Sequence, residues 1–153
     1  MRLKANRWWL AVALTVGTIT ALYAWLQYSA APADPDSFYH ARILTIMLQQ
    51  GIVLPQFPWL QQTSLAQHFT DQHWLYHLIS LPWLRWVEPL TALKITQLWL
   101  VAALVWVILG SVRQLLHRWH STMFLGSLLL FTVAPFLVRL NLLKASALAL
   151  LLF

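Results

Sequence analysis

The chain has 153 residues, 60% of them hydrophobic and 9% charged, whereas a soluble domain carries about 45–50% apolar and about 25% charged residues. With a mean hydropathy of +0.65, that composition excludes an ordinary soluble enzyme, and the lack of cysteine excludes disulfides, thiolate metal sites and a cysteine nucleophile. The net charge of +6 comes from cations that flank apolar segments, which points to membrane orientation and anionic lipid and not to a nucleic-acid partner.

Arg2, Lys4 and Arg7 precede the charge-free run Trp8 to Tyr28, long enough for one spanning helix of about 20 residues. The basic flank places the N-terminus in the cytoplasm. A secretory signal peptide is the competing reading, but this apolar core exceeds the usual 7–15 residues of a signal, which favours an uncleaved anchor.

Residues 30–89 form the first external segment, too long for a plain connection. Asp36 is placed to cap a helix over Ser37 to Gln50, with Gly51 just past its end. Phe38, Ile43, Ile46 and Met47 fall near one face, so this helix is expected to lie on the membrane surface. Val53 to Pro58 is an extended turn. A second helix is expected over about 70–86, interrupted near Pro82.

Leu90 to Val112 is the second span, with Lys94 snorkelling at its outer end. Arg113 to His120 is a basic cytoplasmic connector. Ser121 to Val138 is the third span, and a fourth helix starts at Ala145. The apolar run Ala145 to Phe153 is far short of the roughly 20 residues that cross a bilayer. It implies either a piece of a longer protein, with too few helices here to be expected to act alone, or a half-inserted helix. The fold class expected is therefore all-α: a polytopic transmembrane helical protein with amphipathic interfacial helices in a long first external loop. The ten tryptophans, many near segment ends, fit interfacial belts; Phe57 to Leu60 and Trp83 to Trp86 are the clearest such anchors.

Chemistry concentrates in a few places. Asp34 and Asp36 are two of only four acidic residues. Paired carboxylates suit Mg²⁺ or Mn²⁺, which can neutralise a phosphate leaving group. The plainer alternative makes Asp36 a helix cap and Asp34 a solvated turn residue. His40 lies one helical turn beyond Asp36, where a surface contact is the simple expectation. Arg139 and Lys144 have no acidic neighbour in sequence and look for an anion. Asp71, His73 and His77 share a helix-like spacing that suits zinc. They lack the glutamate of the zinc-protease motif, and anchoring at the headgroup interface is the expectation preferred.

The run Asp36-Ser-Phe-Tyr-His-Ala-Arg42 resembles the motif that follows the first transmembrane helix in oligosaccharyltransferase catalytic subunits, within the GT-C class that also holds the protein O-mannosyltransferases. The layout of one span, a long external loop and short connections is similar too. The resemblance implies transfer of a sugar or glycan from a polyprenyl-phosphate-linked donor on the external face of a plasma or inner membrane. It implies a catalytic and metal-binding role for Asp36, with Asp34 as its neighbour, and donor-phosphate contacts from Arg42, Arg139 or Lys144. Where that family tends to place an acidic motif in its second external loop, this chain has Arg139-Leu-Asn-Leu-Leu-Lys144. The competing class is a non-catalytic scaffold or assembly subunit.

Overall fold

Two long helices frame the protein, which is seen here in a computed structural model describing residues 2–29, 32, 34–57, 62, 66, 68–116 and 121–152. Helix α1 is Arg2–Leu26, and its apolar part, Trp8–Leu26, has 19 residues. At about 1.5 Å per residue that part is roughly 28 Å long, close to the ~30 Å of a bilayer core. The other long helix, Pro89–Leu116, has an apolar stretch of 26 residues. Proline starts it without loss, because the first helical N–H has no partner in any case. The N–H of Ala92 donates to the Glu88 carbonyl at 2.9 Å.

The two helices run antiparallel. The Arg113 guanidinium lies 4.4 Å over the Trp8 ring at one end. At the other end, Lys94 donates to the Ser29 carbonyl at 2.6 Å. Val12, Ile19 and Tyr23 pack with Leu93, Val101 and Val105 in the main core. Leu10, Leu14, Trp25, Trp99 and Trp106 remain exposed on the outer faces. Both helices are long and apolar enough to cross a membrane, which makes membrane association the direct reading.

Between them come α2 (Asp36–Gln50), α3 (Trp74–Ser80) and a 3₁₀ turn (Leu81–Arg85). Gly51 ends α2 at φ 108°, where its N–H donates to Met47 O at 3.0 Å. Pro82 breaks the second helix into α3 and the 3₁₀ turn. The apolar face of α2 does not lie open for a membrane surface. Ala41 and Leu44 enter the main core, while Ile43, Ile46 and Met47 pack with Leu54, Phe57 and Phe69 in a second, smaller one. The chain after Gly51 folds back over that face, held where Phe69 N–H donates to Pro55 O at 3.1 Å. Phe38 alone of the predicted face is exposed. Pro58, Trp59, Leu60 and the connector residues His117 to His120 lie outside the described residues.

After α4 (Pro89–Leu116), the interval expected to be one span is two helices, α5 (Ser121–Thr132) and α6 (Ala134–Asn141). Pro135 is the cause, since it cannot donate to the Phe131 carbonyl four residues back. Helix α7 (Ser146–Leu152) follows at 108° to α6. The pair counts as a third span only if it crosses as one bent element. Gln97 donates to the Leu140 carbonyl at 2.8 Å, which caps the end of α6 and fixes the bend that carries Lys144.

Candidate functional site

The start of α2 and the α6–α7 bend meet. The Lys144 ammonium lies 2.7 Å from Asp34 and 2.6 Å from Asp36. Two candidate metal carboxylates thus converge on one cation position, and a candidate phosphate-binding lysine fills it. The hydrogen bond from Lys144 and its charge hold the Asp36 carboxyl below its ordinary range. Bonding first to Asp34 and then to Asp36 raises the Lys144 ammonium in turn. Asp36 is not the helix cap. It is the first helical residue, the cap position falls on Pro35, the Asp36 side chain is held by Lys144, and its own N–H approaches Asp34 Oδ1 at 3.3 Å. The local turn role falls to Asp34, whose side chain reaches forward two residues to accept the Asp36 N–H, as aspartate does before helices.

One turn further, the same helix turns His40 inward. His40 Nδ1 lies 2.8 Å from His77 Nε2, and His77 Nδ1 lies 2.6 Å from Asp71 Oδ2. Both histidines are buried. Two stretches of sequence that look separate, 36–42 and 71–77, therefore form one chain of hydrogen bonds. His77 is no headgroup anchor: it is fully enclosed and both its ring nitrogens are engaged. Among the described residues no three histidine or acidic side chains make a metal set. The facing nitrogens of His40 and His77 share a proton instead of aiming at a common third point.

Electrostatics give the chain a direction. A carboxylate only accepts, so His77 Nδ1 carries hydrogen and donates to Asp71. With His77 neutral, its Nε2 accepts from His40 Nδ1–H. Burial pushes the Asp71 carboxyl up, but the hydrogen bond and charge of His77, with the His73 N–H at 2.9 Å, outweigh it and the net shift is down. Burial, then the charges of His77 and His73, lower His40 to about 4, with Asp36 and Asp71 opposing. His40 itself is therefore neutral at neutral pH.

A cavity of about 580 Å³ opens beside both groups. Arg139 and Lys144 supply its cations, Leu148 and Leu152 on α7 supply an apolar wall, and His73 and Tyr76 form the side nearest α2. The rings of His73 and Tyr76 lie 5.1 Å and 5.9 Å from that of His40. Arg42 is not brought to this cavity; it lines a smaller one with Glu88 and Phe38. Sequence reasoning kept His40 and His77 apart, because nothing in a separation of 37 residues announces contact. The one available signal was that both are histidines in otherwise apolar surroundings. No protein-family model, curated protein or solved structure matches the chain.

Proposed function

We propose that this chain belongs to a membrane glycosyltransferase that moves a sugar or glycan from a polyprenyl-phosphate-linked donor. One observation carries the reading: a single cavity pairs the cations Arg139 and Lys144 with an apolar α7 wall, and Lys144 also contacts Asp34 and Asp36. A phosphate needs cations, and arginine offers it a planar set of donors. An isoprenoid tail needs an apolar groove. A bend between half-helices is a common place for such a substrate in membrane proteins.

In this reading chemistry takes place on the side of the 30–89 segment, with the N-terminus cytoplasmic in a plasma or inner membrane. Asp36 is the acid nearest the donor phosphate. The convergence of Asp34 and Asp36 suits a Mg²⁺ or Mn²⁺ ion as well as an ammonium, but such an ion has to displace Lys144. When bound, it neutralises charge on the leaving phosphate. The buried Asp71–His77–His40 chain favours a catalytic protein over a scaffold. Buried, coupled ionisable groups beside a cavity are where acid–base chemistry is commonly placed, and docking alone has no use for them.

The test uses the protein in lipid nanodiscs with a short polyprenyl phosphate, and the matching polyprenol as control. The phosphate is expected to bind and the alcohol to bind at least tenfold more weakly. Arg139→Gln is expected to lose about tenfold for the phosphate alone. Equal binding of the two lipids, or none of either, refutes the reading.

A further inference from the structure

We propose that the Asp71–His77–His40 chain is a proton relay that takes up the proton an acceptor hydroxyl loses in the cavity bounded by His73 and Tyr76. The proposal rests on the glycosyl-transfer reading and adds the acid–base half of the reaction to it.

The geometry is that of a relay in two steps. His77 Nδ1 is tied to the Asp71 carboxylate at 2.6 Å and His77 Nε2 to His40 Nδ1 at 2.8 Å. His77 engages only Nδ1 of His40, which is buried and stands behind the cavity lining without forming part of it, so Nε2 is the outer end of the chain. His40 packs edge-on against His73 and Tyr76, and both of these line the cavity. The chain thus runs from directly behind that wall to the half-buried Asp71 carboxylate. Asp71 also accepts the His73 N–H at 2.9 Å, so its position is set by the wall it serves.

The step balances without a further reagent. The acceptor O–H bond breaks, and its oxygen electron pair forms the new bond to the anomeric carbon. The bond from that carbon to the donor phosphate oxygen breaks, and its electrons leave with the phosphate. The acceptor proton passes to His40 Nε2. The Nδ1 proton of His40 passes to His77 Nε2. One positive charge then rests on His77, directly against the Asp71 carboxylate, where opposite charge favours it. Return of the proton to the departing phosphate resets both rings.

The groups facing His40 agree with this assignment. Asp36 and Tyr39 face it from its own helix, and Asp71, His73, Tyr76 and His77 from the other side. Burial and the neighbouring histidines keep His40 neutral, with its lone pair ready, at neutral pH. A neutral imidazole has its lone pair free to take the proton, and the carboxylate behind His77 favours the charge that is handed inward.

The experiment measures donor binding and single-turnover sugar transfer by the full-length protein in nanodiscs between about pH 3 and 9, with a polyprenyl-phosphate-linked sugar as donor. His40→Gln keeps a donor toward His77 and removes the basic nitrogen. It is expected to leave donor binding within twofold and to slow transfer by about 10²-fold or more, the usual contribution of a general base. Asp71→Asn is expected to lower the plateau less and to move the acid limb of the profile to lower pH, because His40 loses a carboxylate charge that raises it. A residue that merely positions structure moves the plateau and not the limb. Unchanged transfer by His40→Gln, or an unmoved limb in Asp71→Asn, overturns the relay while the donor-binding result stands. Failure of the wild-type protein to bind or transfer overturns the glycosyl-transfer reading and the relay with it.

Discussion

The hydroxyl of Tyr23 donates to the Phe131 carbonyl at 3.0 Å, across 108 positions of sequence. That carbonyl is the one Pro135 leaves without its helical N–H. The Phe136 carbonyl lies 3.3 Å from the same hydroxyl, so one buried tyrosine tends both sides of the α5–α6 break. Tyr23→Phe keeps the ring and strands the carbonyl, which costs about 1–3 kcal/mol when no water replaces the donor. Restoring an N–H with Pro135→Ala gives the carbonyl a local partner. Tyr23→Phe is therefore expected to cost clearly less in the Pro135→Ala background. Unfolding of the four proteins in mixed micelles measures this coupling. Equal losses in both backgrounds reduce Tyr23 to a packing residue.

Asp36→Asn is expected to abolish glycosyl transfer with insertion and expression near normal. Its side chain bonds to Lys144, and the cap position of α2 is Pro35, so the helix keeps its start. Lys144 keeps Asp34, at 2.7 Å. Asp34→Asn is expected to do less, since asparagine can still accept the Asp36 N–H. Stripping divalent ions with a chelator, then restoring Mg²⁺, separates the two cations that suit this pair. Loss and recovery of transfer assigns the position to the ion during turnover; transfer indifferent to chelation assigns it to Lys144. Full activity in Asp36→Asn removes the acid from the mechanism.

Much of this was legible in the chain because it depends on near neighbours. The two long apolar helices follow from long runs with little or no charge, the end of α2 from Gly51, and the broken helix α3 from Pro82. The surface position expected for α2 failed for a physical reason. Periodicity shows that Ile43, Ile46 and Met47 share a face, but not whether lipid or Phe57 and Phe69 cover it. Pro135 was visible as well, yet the apolar run around it outweighed it. The convergence of Asp34, Asp36 and Lys144, and of His40 with His77, rests on tertiary packing around α4, which no local pattern encodes.

Stability is expected to fall as the pH drops from about 6.5 toward about 4. His40 is lowered from 6.5 to about 4 by burial and by the histidines beside it. Between those values the unfolded chain binds a proton there and the folded chain does not, so stability rises with pH across that window and is full above it. The carboxyls of Asp36 and Asp71 are lowered from 3.8, so their losses come at still lower pH. Thermal unfolding in detergent at half-unit steps measures the slope. His40→Gln has nothing to titrate and is expected to flatten it between pH 6.5 and 4; an unchanged slope assigns the acid sensitivity elsewhere.

The orientation of the two long helices yields the most direct test. Antiparallel packing puts Arg113 beside Trp8, and Lys94 beside Ser29 at the opposite end. Residues 30–89 connect at that second end, while Arg2, Lys4, Arg7 and Arg113 gather at the first. Clustered arginine and lysine next to a span stay on the cytoplasmic side. The chain has no cysteine, so a single introduced thiol reports its own location. Gln72 and Gln114 are both exposed and lie in these two regions. Gln72→Cys is expected to react with an impermeant maleimide in intact cells, and Gln114→Cys only after the membrane is opened. Reaction of both thiols in intact cells rules out a membrane between them. The reverse order inverts the topology, which places the Asp36 carboxylate and the α6–α7 cavity on the cytoplasmic side and removes the external donor from the proposed reaction.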